Sequence, residues 1–168
     1  PSQWSRAVRH LEMGEHHLAA QSAAEGIRAY PNLGSLWQLR GIARYYMGDF
    51  RGSVEDFETS LCLCVLTPCS LWCMSAAYVE LGQCRSARDG LIALLRHKRR
   101  PSSLLYPAAG LFSRIGDDEL ALQSCEELAR KEPGSAVGYY GQALFMSRMG
   151  YPSLAIQSRL RKACELSP

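Results

Sequence analysis

Several features that commonly announce a function are missing from this sequence. No apolar run is long enough to cross a bilayer. The best, Leu61–Leu66 and Leu104–Leu105, fall far short of the ~20 residues that a membrane helix needs, so no membrane partner is expected. Neither sign of charge dominates. With 19 Lys and Arg against 16 Asp and Glu the net charge is +3, too mild a field to argue for a polyanion. Glycine-rich phosphate loops are absent. The four histidines, His10, His16, His17 and His97, are scattered, with no nucleophile and base spaced to work together. An enzyme is therefore not expected, nor is a cofactor. Nothing at the N-terminus resembles a secretory leader.

Cysteine is not scarce, but its order is. The seven cysteines include the run Cys62-x-Cys64-x4-Cys69-x3-Cys73, which lacks the paired Cys-x2-Cys knuckles of zinc sites. These thiols read as small core residues, with a metal site as the lesser alternative. Free, partly buried thiols imply a reducing, cytoplasmic setting.

What the sequence does have is a period. Gly14, Gly48, Gly82, Gly116 and Gly150 are spaced by 34 residues throughout, and a fixed period in that range marks stacked structural repeats. Counting units so that these glycines stand at position 15 gives 1–33, 34–67, 68–101, 102–135 and 136–168. Position 8 then reads Ala7, Gly41, Ser75, Ala109 and Ala143, and position 20 reads Ala19, Ser53, Ala87, Ala121 and Ala155. Both columns are small throughout. Position 14 is always apolar: Met13, Met47, Leu81, Ile115 and Met149. Positions 4, 8 and 11 share one helix face, the glycine ends that helix in a left-handed turn, and a second helix follows with an apolar residue at 24 (Phe57, Leu91, Cys125). Pro31 and Pro133 close their units. Asp117-Asp118-Glu119 reads as the N-cap of the second helix in unit four.

These columns resemble the tetratricopeptide repeat, whose consensus is matched best by unit two: Trp37, Gly41, Tyr45-Tyr46, Gly48-Asp49-Phe50 and Phe57. The resemblance covers the whole chain. It implies an all-α right-handed superhelix of about ten antiparallel helices. Val65 and Arg99 stand where units two and three should close with proline, and Pro168 comes one residue late in unit five, suggesting a slipped last helix around Arg159–Ala163. Pro1 in place of methionine, and Pro168 at a unit boundary, read either as the ends of a piece of a longer chain or as simple trimming.

The resemblance also implies where function lies. First helices line a concave groove, with positions 2, 5, 6, 9, 12 and 13 facing it. Position 5 reads Trp4, Gln38, Trp72, Tyr106 and Tyr140. With Ile42, Tyr45, Tyr46, Val79, Glu80, Arg114 and Leu144 from the later columns, they form an aromatic ladder over an apolar floor. Position 13 runs from acidic (Glu12) to basic (Arg148). Aromatic anchors suit a protein partner, laid in as a peptide or helix. The alternative is that the rings pack between units. Members that dock chaperone tails hold the terminal carboxylate with Lys at 5, Asn at 9 and basic residues at 2 and 6. This chain has Trp, Tyr or Gln at 5 and no Lys or Arg at 2 or 6, which argues against that docking. A scaffold binding a peptide or helix and a secretion-type chaperone holding an unfolded client both fit. Nucleic-acid binding through Arg96–Arg100 is the weaker idea, because the basic run is not repeated in each unit.

Overall fold

The computed structural model describes residues 2–167; Pro168, expected to close the last unit late, lies outside them. Among the described residues there are ten α-helices and no strand: α1 Gln3–Glu12, α2 His16–Ala29, α3 Gly34–Tyr46, α4 Phe50–Leu61, α5 Pro68–Glu80, α6 Cys84–Arg96, α7 Leu105–Arg114, α8 Asp118–Lys131, α9 Ala136–Arg148 and α10 Ser153–Leu166. A 3-10 turn, Ser102–Leu104, leads into α7. The chain forms two compact bodies, Pro1–Gly90 and Leu91–Pro168.

The five phased glycines are the only residues with positive φ among those described, from 71° to 82°. Each ends the first helix of a pair with the same bond. The N–H one residue past the glycine donates to a carbonyl in the last turn: Glu15 to His10 (2.8 Å), Asp49 to Arg44 (2.9 Å), Gln83 to Tyr78 (2.8 Å), Asp117 to Phe112 (2.9 Å) and Tyr151 to Met146 (3.0 Å). This 6→1 bond is the Schellman closure, which satisfies an otherwise orphaned carbonyl. Ser2, Asp49, Thr67 and Asp117 cap their helix starts, accepting N–H bonds from Ser5, Gly52, Ser70 and Leu120.

The small columns are where helices touch. Ala7, Ala19, Ser53, Ser75, Ala87, Ala109 and Ala121 are fully covered. A β-carbon at Gly41 would lie 3.0 Å from the Phe57 ring, and one at Gly138 would lie 2.9 Å from the backbone nitrogen of Ala129. Buried hydroxyls are satisfied across the same contacts, as Ser53 donates to the Gly41 carbonyl (2.7 Å) and Ser60 to that of Gly34 (3.0 Å).

α10 departs from the other second helices. Those begin two residues after their glycine, whereas α10 begins at Ser153, three after Gly150. Pro152 stands at its N-cap. Ala155, the fifth member of the small column, is only half-buried, and Ala163 is the one buried residue that α10 carries.

In the first body the pairs are also tied by charge. Arg40 grips Asp56 with Nε (2.9 Å) and Nη2 (2.6 Å), and Arg44 Nη1 lies 3.1 Å from the same carboxylate. Asp56 is 1% exposed. A carboxylate so buried is tolerable only because both its oxygens are met by guanidinium donors. Arg40 also lies over the Trp37 ring, 4.8 Å from its centroid. Trp37 and Arg44, at positions 4 and 11 on one face of α3, therefore both take part in a polar clamp.

Candidate binding surfaces

The first body carries a cluster of aromatic rings. His16 stacks on Tyr46 (4.9 Å, 14° between planes), Tyr46 meets Tyr45 edge-on (5.2 Å), and Tyr45 reaches both Phe50 (5.8 Å) and Trp72 (5.8 Å, 81°). Helices α2, α3, α4 and α5 each contribute. Edge-to-face and offset pairs at these distances are favourable beyond the area they bury. Tyr46 is 53% exposed while Tyr45 and Trp72 are half-buried, so the cluster is rooted in the packing and opens outward at Tyr46. Burial, with Cys73, Cys69 and Tyr45 nearby, pushes the Tyr46 phenol above its usual value.

The second body has a groove of about 450 Å³. Tyr106 on α7, Ala136, Val137 and Tyr140 on α9, and Leu160, Ala163 and Cys164 on α10 line it. Val137 and Tyr140 are 44% and 50% exposed. Burial, then Cys125 and Tyr140, raises the Tyr106 phenol, so this hydroxyl stays neutral and the groove carries no charge from it. A groove of this size, with an apolar lining and one or two phenols to orient a guest, has the build of a ligand site.

The residues expected to face a groove are thus divided. Tyr45, Tyr46 and Trp72 meet in the cluster; Tyr106 and Tyr140 meet in the groove. Trp4 is 46% and Leu144 39% exposed. Ile42 and Val79 are half-buried, and Glu80 and Arg114 lie at the surface. Gln38 does not belong with them. It is 5% exposed. Its Nε2 donates to the Val65 carbonyl (3.2 Å), while its Oε1 accepts from the Thr67 N–H (3.0 Å) and the Ser70 hydroxyl (2.8 Å). It therefore pins the α4–α5 loop and lends no surface. The basic end of position 13 is also partly neutralised, because Arg148 Nε lies 3.1 Å from Asp118. In the run Arg96–Arg100, Arg100 is a packing residue: its side chain is 5% exposed and pairs with Glu127.

Sequence reasoning missed His16 and Phe50 in the cluster and the whole α10 wall of the groove. His16 follows Gly14 by two residues and Phe50 follows Gly48 by two, so both open second helices, which the groove reading had set aside. For α10 the available signal was Tyr151-Pro152, since a proline at the N-cap holds back the start of the helix.

Among the described residues no three His, Cys, Asp or Glu side chains converge as a metal centre would need, and no helix is long and apolar enough to cross a membrane.

No protein-family model matches the sequence, and no curated protein matches it at a significant level. Solved structures do match. MamA is similar at a TM-score of 0.80 and 16% identity, over 95% of this chain and 93% of that one. A MamA double mutant from RS-1 gives 0.78 and 18%, over 95% and 89%. YrrB, described as a TPR protein with an unusual peptide-binding site, gives 0.76 and 14%, over 96% and 83%. At such identities the likeness is one of fold.

Proposed function

We infer that this chain, which has the tetratricopeptide-repeat fold, is a non-catalytic scaffold that takes a peptide or helical segment of another protein on its aromatic and apolar surfaces. The observation that carries this reading is the groove walled by Tyr106, Val137, Tyr140 and Leu160. Its exposed rings and aliphatic chains would remain in water without a guest, and exposed apolar patches of this kind mark interaction sites. The aromatic cluster ending at Tyr46 supplies a second anchor of the same chemistry. That YrrB, with this fold, is described as having a peptide-binding site supports a peptide as the class of ligand. Seven free thiols favour a reducing, cytoplasmic compartment.

The test is selection of peptides from a random library on the wild-type chain, followed by titration onto Tyr140→Ala and Leu160→Ala. Loss of about tenfold or more in affinity, with the melting curve unchanged, supports the groove; anchors of this kind are worth ~2 kcal/mol or more when truncated. Binders unaffected by either change would sink it. A secretion-type chaperone, holding an unfolded apolar client on the same surfaces, is the alternative reading. That activity would suppress aggregation of an unrelated unfolding protein and tolerate Tyr140→Ala alone.

A further inference from the structure

The groove of the second body has a counterpart inside the same fold. Tyr140 and Ala163, which line it, stand one 34-residue period after Tyr106 and Ala129. Those two earlier residues, with Cys125 of α8, belong to the wall on which α9 is seated. A β-carbon at Gly141 of α9 would lie 3.1 Å from the Tyr106 ring and would run into the Cys125 sulfur. One at Gly138 would lie 2.9 Å from the Ala129 backbone nitrogen. The guest of that wall is thus a helix left bare at two positions three residues apart, a spacing that puts both on one face.

Size is traded across such seats in both directions. At Gly26 of α2 the wall is the small partner and the seated helix brings the bulk, since a β-carbon there would lie 2.9 Å from Leu36 of α3. Interiors packed without voids require this exchange of large for small. In the groove the wall is the large partner, with Tyr140, Leu160 and Cys164, so a well-packed guest is small where it meets them. The flank adds charge. Beside its groove face α10 carries Arg159, Arg161, Lys162 and Glu165, all exposed, along a second cavity of about 400 Å³. Lys162 is paired with Glu165 (3.4 Å), and the two arginines give this flank a net positive field.

We propose that this groove takes an amphipathic α-helix of a partner protein, seated as α9 is seated on α7 and α8, with two small residues three apart on its buried face and acidic residues along its flank. The proposal rests on the reading of the groove as the partner site and narrows the guest to one conformation and one surface. The lining favours a helix over an extended chain on physical grounds. An extended segment brings backbone N–H and C=O groups that need partners once buried. The walls are Val137, Leu160, Ala163 and the faces of two tyrosines, which offer no row of backbone groups to pair with. A helix meets its own backbone bonds and presents only side chains. Small residues at the contact let its axis approach Tyr140 and Leu160 closely, and acidic flanking residues meet Arg159 and Arg161. The guest therefore continues, one period on, the packing that α9 already shows.

The test pans the full chain against two peptide libraries, one held helical by a hydrocarbon staple and one held extended by a proline at every third position. Binders should come from the helical library, with Gly, Ala or Ser at two positions three apart. Replacing either small residue with leucine should weaken them about tenfold or more, because the contact is then overpacked. Tyr140→Ala and Leu160→Ala should lower affinity by about the same factor, and Arg159→Glu with Arg161→Glu by about threefold. Extended binders that depend on Tyr140 and Leu160 overturn the helix while leaving the groove a partner site. Binders indifferent to both residues sink the groove and the helix together. Helical binders that accept leucine at both small positions also overturn the proposal, and this exchange in the peptide decides it even where a variant of the chain does not fold. Self-association in sedimentation that Tyr140→Ala abolishes gives the groove to a second copy of the chain and overturns it likewise.

Discussion

Two glycines show how differently one residue type acts. Gly48 has φ 80°, and a β-carbon there would meet nothing within 4 Å. Replacing it with alanine thus costs only the backbone preference, about 1–2 kcal/mol, and chemical denaturation should find a loss of that size. Gly110 sits inside α7 with open space around it and no positive φ. Gly110→Ala should instead stabilise the chain by about 0.5–1 kcal/mol, because only the helix propensity changes. At Tyr78 the relevant property is a proton. Its hydroxyl donates to Glu58 Oε1 at 2.9 Å, and burial first, then Glu58, raises the phenol from 10.0 to about 12. The folded state holds this proton more tightly than the unfolded one. The stabilisation is complete below pH 10.0 and is lost as the pH climbs towards 12. Urea midpoints measured on either side of that window should fall for the wild type and change less for Tyr78→Phe.

At the scale of helices, polar groups fix what apolar packing leaves loose. Asp56 on α4 is held by Arg40 and Arg44 on α3. Asp56→Asn or Asp56→Ala leaves two guanidiniums facing a neutral or empty site, and should cost about 3 kcal/mol or more in a denaturant melt. Gln38→Ala should cost about 1–3 kcal/mol, because the Thr67 N–H and Ser70 hydroxyl lose their acceptor. A result near zero for Gln38→Ala would restore it to the surface column from which its burial removes it. The sequence placed Gln38 in that column by counting alone. Column position fixes the direction in which a side chain leaves its helix, but not whether a following loop folds over it. The α4–α5 loop does so here, with the Val65 carbonyl taking the amide donor.

At the scale of the whole molecule, folding and binding should separate. Tyr46→Ala and Tyr140→Ala remove rings that are 53% and 50% exposed. Their melting temperatures should stay near that of the wild type while capture of a selected peptide weakens. Trp72→Ala should behave otherwise. Its ring is half-buried against Tyr45, and truncating a packed aromatic costs up to about 3–5 kcal/mol in full burial. A clear fall in its melting temperature is therefore expected, which makes Tyr46 the better probe of binding in the first body. Calorimetry on the three variants checks this division.

The sequence by itself determined the helices, their pairing and their turns. A 34-residue period with small residues in two columns is local information. Helix length, the left-handed glycine at each reversal and the close approach at Gly41 all follow from residues near one another in the chain. Only the tertiary structure decided which of the column-5 residues meet. Tyr106 on α7 and Tyr140 on α9 share a groove to which α10 adds Leu160, Ala163 and Cys164. Tyr45 and Trp72 share a cluster because His16 and Phe50, from second helices, complete it. A one-residue shift rotates a helix face by ~100°, so the surface is set by a register that packing selects, whereas the fold is set by a period that no such shift erases.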